Sequence, residues 1–120
     1  MHQFDLKNKT AVITGGAQGF GLDIAKKFLL SGSKVFIWDI DEKELSKSTK
    51  EINNSNLNYS VVDVSNFDQV QKTVSEITSK NNIDILVNNA GITGPTAELW
   101  NYNIKNWNSV VDINLHGTFY

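Results

Sequence analysis

The chain has 120 residues, the length of one small domain or of part of a larger one. Hydrophobic residues make up 40% and charged residues 20%, ordinary for a globular protein, and the net charge of -2 supplies no positive field to draw in nucleic acid or an acidic membrane. There is no cysteine, which excludes disulfides and thiolate metal sites, and no apolar run approaches the roughly 18 residues a membrane span needs. Met1-His2-Gln3-Phe4-Asp5 has no apolar signal core, so the expected compartment is the cytoplasm. No metal site, nucleic-acid partner or membrane partner is expected.

Apolar runs alternate with helical stripes along the whole chain. Thr10 to Thr14 reads as a buried strand. Leu22, Ala25, Phe28 and Leu29 then recur at helical spacing, and Ser31-Gly32-Ser33 stops that helix. Lys34 to Asp39 is a second strand. Asp41 and Glu44 are a capping pair for a helix running to about Ile52. Leu57 to Asp63 is a third strand, less purely apolar and closer to a sheet edge. Phe67, Val70, Val74 and Ile77 form a helical stripe with Ser65 as its N-cap. Ile83 to Asn88 is a fourth strand, and a last helix starts near Ile104 with Trp107, Val110, Val111 and Leu115 on its apolar side. This β-α-β-α-β-α-β-α order implies an α/β fold, a parallel sheet covered by helices on both faces.

The connection out of the first strand is Thr14-Gly15-Gly16-Ala17-Gln18-Gly19-Phe20-Gly21, with glycines spaced G-x-x-x-G-x-G. A pyrophosphate needs backbone N–H donors and room for close approach, and a helix N-terminus adds partial positive charge. Gly15 suits the tight turn, Gly19 the approach of phosphate, and Gly21 the packing of helix on sheet. Gln18 and Phe20 would offer backbone N–H groups or flank the ligand. The alternative is a glycine-rich turn with no ligand. Asp39 ends the second strand, where a dinucleotide fold places a carboxylate to accept from the ribose hydroxyls. A 2′-phosphate there would be repelled by about 4 kcal/mol at 4 Å and an effective dielectric near 20. All 11 basic residues are lysine, so the arginine that usually clamps such a phosphate is missing. NAD is therefore expected over NADP, with Ile40 against the adenine.

Asn88-Asn89-Ala90-Gly91 ends the fourth strand, Asp63-Val64 ends the third, and Asn114-Leu115-His116-Gly117 lies in the last helix. Together with the glycine loop these resemble the classical short-chain dehydrogenase/reductase family, over its N-terminal half and from about Leu6 to Tyr120. The resemblance implies a Rossmann-like doubly wound sheet of strand order 3-2-1-4 without its later strands. It also implies one NAD(P)-binding domain over residues 1–120, incomplete at its C-terminus. Asp63 would bond the adenine amino group and Val64 would offer backbone contacts beside the ring. Asn89, Ala90 and Gly91 would line the adenosine ribose and the nicotinamide side. Thr14 would tie the glycine loop to the turn after the fourth strand, and Asn88 would brace the sheet. Asn114 matches the family's active-site asparagine, whose main-chain carbonyl holds a water in a proton relay. His2 and His116 read as surface or partly buried polar residues. Trp100, Tyr102 and Trp107 read as packing or subunit-contact residues.

Thr93-Gly94-Pro95 would border a substrate cleft. The wording from Ile92 to Thr96 and at Leu99-Trp100 is similar to sugar-acid and polyol dehydrogenases and to 3-oxoacyl-carrier-protein reductases. The family's Ser and Tyr-x-x-x-Lys lie beyond the asparagine-bearing helix. Here Tyr59 and Tyr102 are followed four positions on by Asp63 and Asn106, and Tyr120 by nothing. The expectation is an NAD-dependent oxidoreductase acting on a secondary alcohol or ketone, homo-oligomeric when complete and inactive as these 120 residues alone. The fourth strand would be an exposed sheet edge prone to association. The alternatives are a non-catalytic dinucleotide-binding module and a truncated product without function.

Overall fold

Five consecutive buried residues, Thr10–Thr14, form the strand at the heart of the sheet (β1), flanked on both sides by parallel partners. A computed structural model describes residues 4–120; His2 lies outside the described residues. The order along the chain is β1, α1 (Gly19–Leu30), β2 (Lys34–Asp39), α2 (Glu42–Ile52), β3 (Leu57–Val61), α3 (Phe67–Thr78), β4 (Ile85–Val87) and α4 (Ile104–Val111). A 3₁₀ turn at Leu99–Asn101 precedes α4. A π-turn at Asp112–His116 follows it and leads into the short α5 (Gly117–Phe119).

The sheet has the order β3-β2-β1-β4, all parallel. Because it is covered on both faces, its side chains divide between two cores. Ile13, Val35 and Ile37 join Ala17, Ala25, Leu29 and Leu45 beneath α1 and α2. Val12 and Trp38 join Val62, Val70 and Ile77 beneath α3. That division explains why β1 reads as a continuous apolar run, whereas β3, at the edge, buries only Leu57 and leaves Tyr59 and Val61 exposed.

Half of the expected capping pair of α2 forms: Asp41 accepts from the Glu44 N–H at 3.1 Å, but the Asp41 N–H donates to Asp39 Oδ1 and not to Glu44. Four boundaries differ from the sequence reading. β3 ends at Val61 and not at Asp63, and β4 is only Ile85–Val87 within the expected Ile83 to Asn88. Asn66, not Ser65, caps α3 by accepting from Gln69 N–H, because the Ser65 hydroxyl is engaged in donating to Asp63 at 2.6 Å. The apolar side of the last helix is largely uncovered, with Trp107 and Leu115 exposed. Beyond its far end, Gly117 lies so close to Val64 that a methyl group there would sit 2.7 Å from Val64 Cγ2.

Chain direction reverses about β1. The first three strands step outward on one side of it, and β4 returns on the other. In an open parallel sheet such a reversal opens a crevice at the carboxyl ends of the strands flanking it. Here those ends are Thr14 of β1 and Val87 of β4, with Asp39 of β2 alongside.

Candidate functional site

The crevice is a cleft of about 430 Å³, within the size range of small-molecule sites. Gly15, Gln18, Asp39, Ile40, Asp63, Val64, Asn89, Ala90 and Gly91 all line it, brought together from the ends of all four strands. Trp38, Asp41, Val62, Ile92 and Ile113 line it too and were not expected there from sequence; they are apolar or capping residues whose pattern carries no cofactor-site signal.

Each wall has an identifiable cause. Gly15 adopts φ +64, and a methyl group there would lie 3.0 Å from Asn89 Nδ2 and from the Ala90 backbone. Gly21 is buried below the loop. A methyl group on it would strike the Gly15 carbonyl oxygen and come within 2.6 Å of Asn89 Nδ2. Gly21 therefore sets how closely α1 approaches the sheet and does not itself face the cleft. Gly16 went unassigned from sequence, yet a methyl group on it would sit 2.6 Å from Ile37 Cβ. Gly19 is different: at φ +61 it has no atom within 4 Å of where a side chain would start. The space beside it is open.

The amino end of α1 is unfilled in a second sense. α2, α3 and α4 are each capped by a side chain, from Asp41, Asn66 and Asn103. α1 has no side-chain cap, and the N–H groups of Gln18, Gly19 and Phe20 find no acceptor among the described residues. Uncapped donors beside open space suit an anion. Neither Gly19 nor Phe20 lines the cleft, although both were expected in the site, and the Phe20 side chain is 83% exposed; their N–H groups lie just beyond Gln18 at its rim along the chain.

Asp39 Oδ2 accepts from Ala17 N–H at 3.2 Å and Oδ1 from Asp41 N–H at 3.1 Å. A carboxylate has about four acceptor positions, so each oxygen retains one for a ligand. In Asp63 the load is uneven: Oδ1 takes both the Ser65 N–H (2.9 Å) and the Ser65 hydroxyl, which leaves Oδ2 unengaged. Asp39, Asp41 and Asp63 give the cleft three carboxylates, and none of its lining residues is basic.

Thr14 is the bolt between β1 and β4. It is 4% exposed, and its Oγ1 accepts from Asn89 N–H at 3.1 Å and Ala90 N–H at 3.0 Å. Asn89 returns the link by donating Nδ2 to the Gly15 carbonyl at 3.1 Å. Asn88, expected to brace the sheet, is exposed and makes no hydrogen bond among the described residues. The alternation of β4 turns its side chain away from the links made by its neighbour.

Asn114 does not line the cleft, although the adjacent Ile113 does. Its side chain grips the loop after β4 with two bonds, accepting from Ile92 N–H at 2.9 Å and donating to Ile92 O at 2.8 Å. The π-turn around it loosens the helical ladder, and the Thr118 hydroxyl bonds the Asn114 carbonyl at 2.9 Å. Gly94, at φ +67, passes beneath Tyr102 and Val110, and Tyr102 packs edge-on against Trp107. His116 is half-exposed on the surface beside Asp112.

The family model described as short chain dehydrogenase matches residues 9–120, and the chain belongs to that family. It is 38% identical over 119 residues to a 3-oxoacyl-[acyl-carrier-protein] reductase of Chlamydia muridarum, covering 96% of this chain and 47% of that protein. Among solved structures, a 3-ketoacyl-(acyl-carrier-protein) reductase from Brucella melitensis complexed with NADH superposes with a TM-score of 0.89 at 33% identity. The match covers 96% of this chain and 48% of that one. A gluconate 5-dehydrogenase from Burkholderia cenocepacia in complex with NADP and tartrate superposes with a TM-score of 0.86 at 31% identity, covering 98% and 47%. The chain thus spans about half the length of the curated relatives it matches. The Rossmann-like order 3-2-1-4 expected from sequence is the order observed. No helix among the described residues is long and apolar enough to cross a membrane.

Proposed function

We propose that these residues form the cofactor-binding part of an NAD-dependent oxidoreductase that moves hydride between a secondary alcohol and a ketone. The observation carrying this reading is one cleft lined by both Gln18, the uncapped N-cap residue of α1 next to the open side of Gly19, and the half-engaged Asp39 carboxylate. The glycine turn would hold the pyrophosphate on the Gln18, Gly19 and Phe20 N–H groups. Asp39 would accept from the ribose hydroxyls with its two remaining acceptor positions, and Asp63 Oδ2 from the adenine amino group. Ile40 and Val64 would bound the adenine; Asn89, Ala90 and Gly91 would line the path toward the nicotinamide. When bound, the nicotinamide supplies the hydride. Asn114 would steady Ile92 at the mouth of the substrate side and present its carbonyl to a proton relay.

Three carboxylates and no basic residue around the cleft favour NAD over NADP. A 2′-phosphate 4 Å from Asp39 meets a repulsion of about 1 kcal/mol in bulk water and about 4 kcal/mol at a dielectric near 20. These correspond to preferences of about five-fold and about 1,000-fold. Partial exposure of Asp39 places the expectation between them. Substrate would be a small alcohol or ketone, in the sugar-acid or acyl-thioester class suggested by the relatives. The uncovered apolar side of α4 is consistent with a homo-oligomer.

Titration with NADH and NADPH, read by nucleotide fluorescence, tests the reading. NADH is expected to bind more tightly, and Asp39→Asn to narrow the gap by raising NADPH affinity. Equal affinities in the unaltered chain, or binding of neither, would refute it.

A further inference from the structure

One side chain of α2 reaches the phosphate turn, from outside every motif read in the sequence. Ser48 is 5% exposed and donates its hydroxyl to the Ala17 carbonyl at 2.7 Å. Ala17, itself buried within the α1–α2 core, is held on its other side by Asp39, which accepts its N–H. The turn is thus gripped at both polar groups of one residue. The neighbouring Thr49 hydroxyl, also buried, has no partner, so proximity on α2 alone does not provide such a bond.

The peptide joining Ala17 to Gln18 is trans, and a planar trans peptide points its C=O and N–H in opposite directions. Drawing the Ala17 carbonyl toward α2 therefore turns the Gln18 N–H away from α2. Gln18 lines the cleft, and its N–H has no acceptor among the described residues. We propose that Ser48 is a positioning residue for diphosphate recognition, holding the Ala17–Gln18 peptide so that the Gln18 N–H faces the bound diphosphate. This rests on the dinucleotide reading above. Without the hydroxyl, the Ala17 carbonyl would be a buried acceptor lacking a donor. It would gain by rotating toward water, which carries the Gln18 N–H inward.

The test compares ADP with adenosine by calorimetric titration of the 120-residue chain, unaltered and as Ser48→Ala and Ser48→Thr. Both ligands use the Asp39 and Asp63 contacts, but only ADP uses the turn. Ser48→Ala is expected to weaken ADP about ten-fold, the worth of one hydrogen bond to a charged group, and leave adenosine within about two-fold. Ser48→Thr, which keeps the hydroxyl, is expected to restore ADP binding. The ratio of the two affinities within one preparation does not depend on the fraction folded, so destabilisation cannot imitate the result. An unchanged ratio in Ser48→Ala, or equal weakening of both ligands, overturns the positioning role while leaving the dinucleotide reading intact. An unaltered chain that binds neither ligand overturns both.

Discussion

Gly21→Ala and Gly19→Ala separate what the glycine turn does for packing from what it does for a ligand. At Gly21 the added methyl group meets the Gly15 carbonyl, and Asn89 Nδ2 lies 2.6 Å away. The carbonyl belongs to the backbone and Asn89 is tied to it by a hydrogen bond, so neither yields cheaply. α1 must shift outward, and overpacking of this kind costs about 1–3 kcal/mol. Unfolding entropy of about 2.1 cal/mol/K per residue gives about 0.25 kcal/mol/K for 120 residues, so each kcal/mol moves Tm by about 4 °C. Gly21→Ala should therefore lower Tm by about 4–12 °C. At Gly19 no atom is struck, and the penalty is only that of a left-handed alanine, about 1–2 kcal/mol or about 4–8 °C. The methyl group would, however, stand in the space proposed for phosphate, so ADP affinity should fall by at least about ten-fold, equivalent to one charged hydrogen bond. Calorimetric melting with ADP titration reads both quantities. A Gly21→Ala chain melting within a degree or so of the unaltered one would refute the close approach of α1. A Gly19→Ala chain that binds ADP unchanged would refute the phosphate seat.

Two further outcomes follow from the sheet. Thr14→Val keeps the shape of the side chain but removes the acceptor for Ala90 N–H, while Asn89 N–H retains the Val87 carbonyl. One stranded donor costs about 1–3 kcal/mol. Tm should fall by about 4–12 °C and recover largely in Thr14→Ser; a melt unchanged by valine would show that the bolt between β1 and β4 is not needed. Leu86 is 57% exposed on the edge strand β4, and a lysine there discourages strand-to-strand pairing between molecules. Leu86→Lys should reduce concentration-dependent association on size-exclusion chromatography, and an unaltered elution profile would place the association surface elsewhere.

What the sequence disclosed depended on how locally each feature is encoded. Strand β1 was legible as a short continuous apolar run ending in a glycine turn, and α3 as an apolar stripe at helical spacing; both signals lie in neighbouring residues. The position of Asp39 beside the glycine turn was legible because both sit at the carboxyl ends of adjacent parallel strands, which the element order alone brings together. The N-cap of α3 was misplaced by one residue since Ser65 and Asn66 are both good caps. Only the pull of Asp63 on the Ser65 hydroxyl, a tertiary detail of that turn, decides between them. The exposure of Trp107 and Leu115 was also hidden. An apolar stripe reports that a helix has a face to cover, not what covers it. Gly16 and Ser48 escaped for a stronger reason. Their partners, Ile37 and Ala17, are brought to them by the stacking of β1, α1 and α2, and no spacing along the chain encodes a contact across 31 residues. The turn that the sequence advertises through three glycines is thus held in shape by residues it does not advertise. A substitution at Ser48 therefore tests the site in a way that another glycine variant would not.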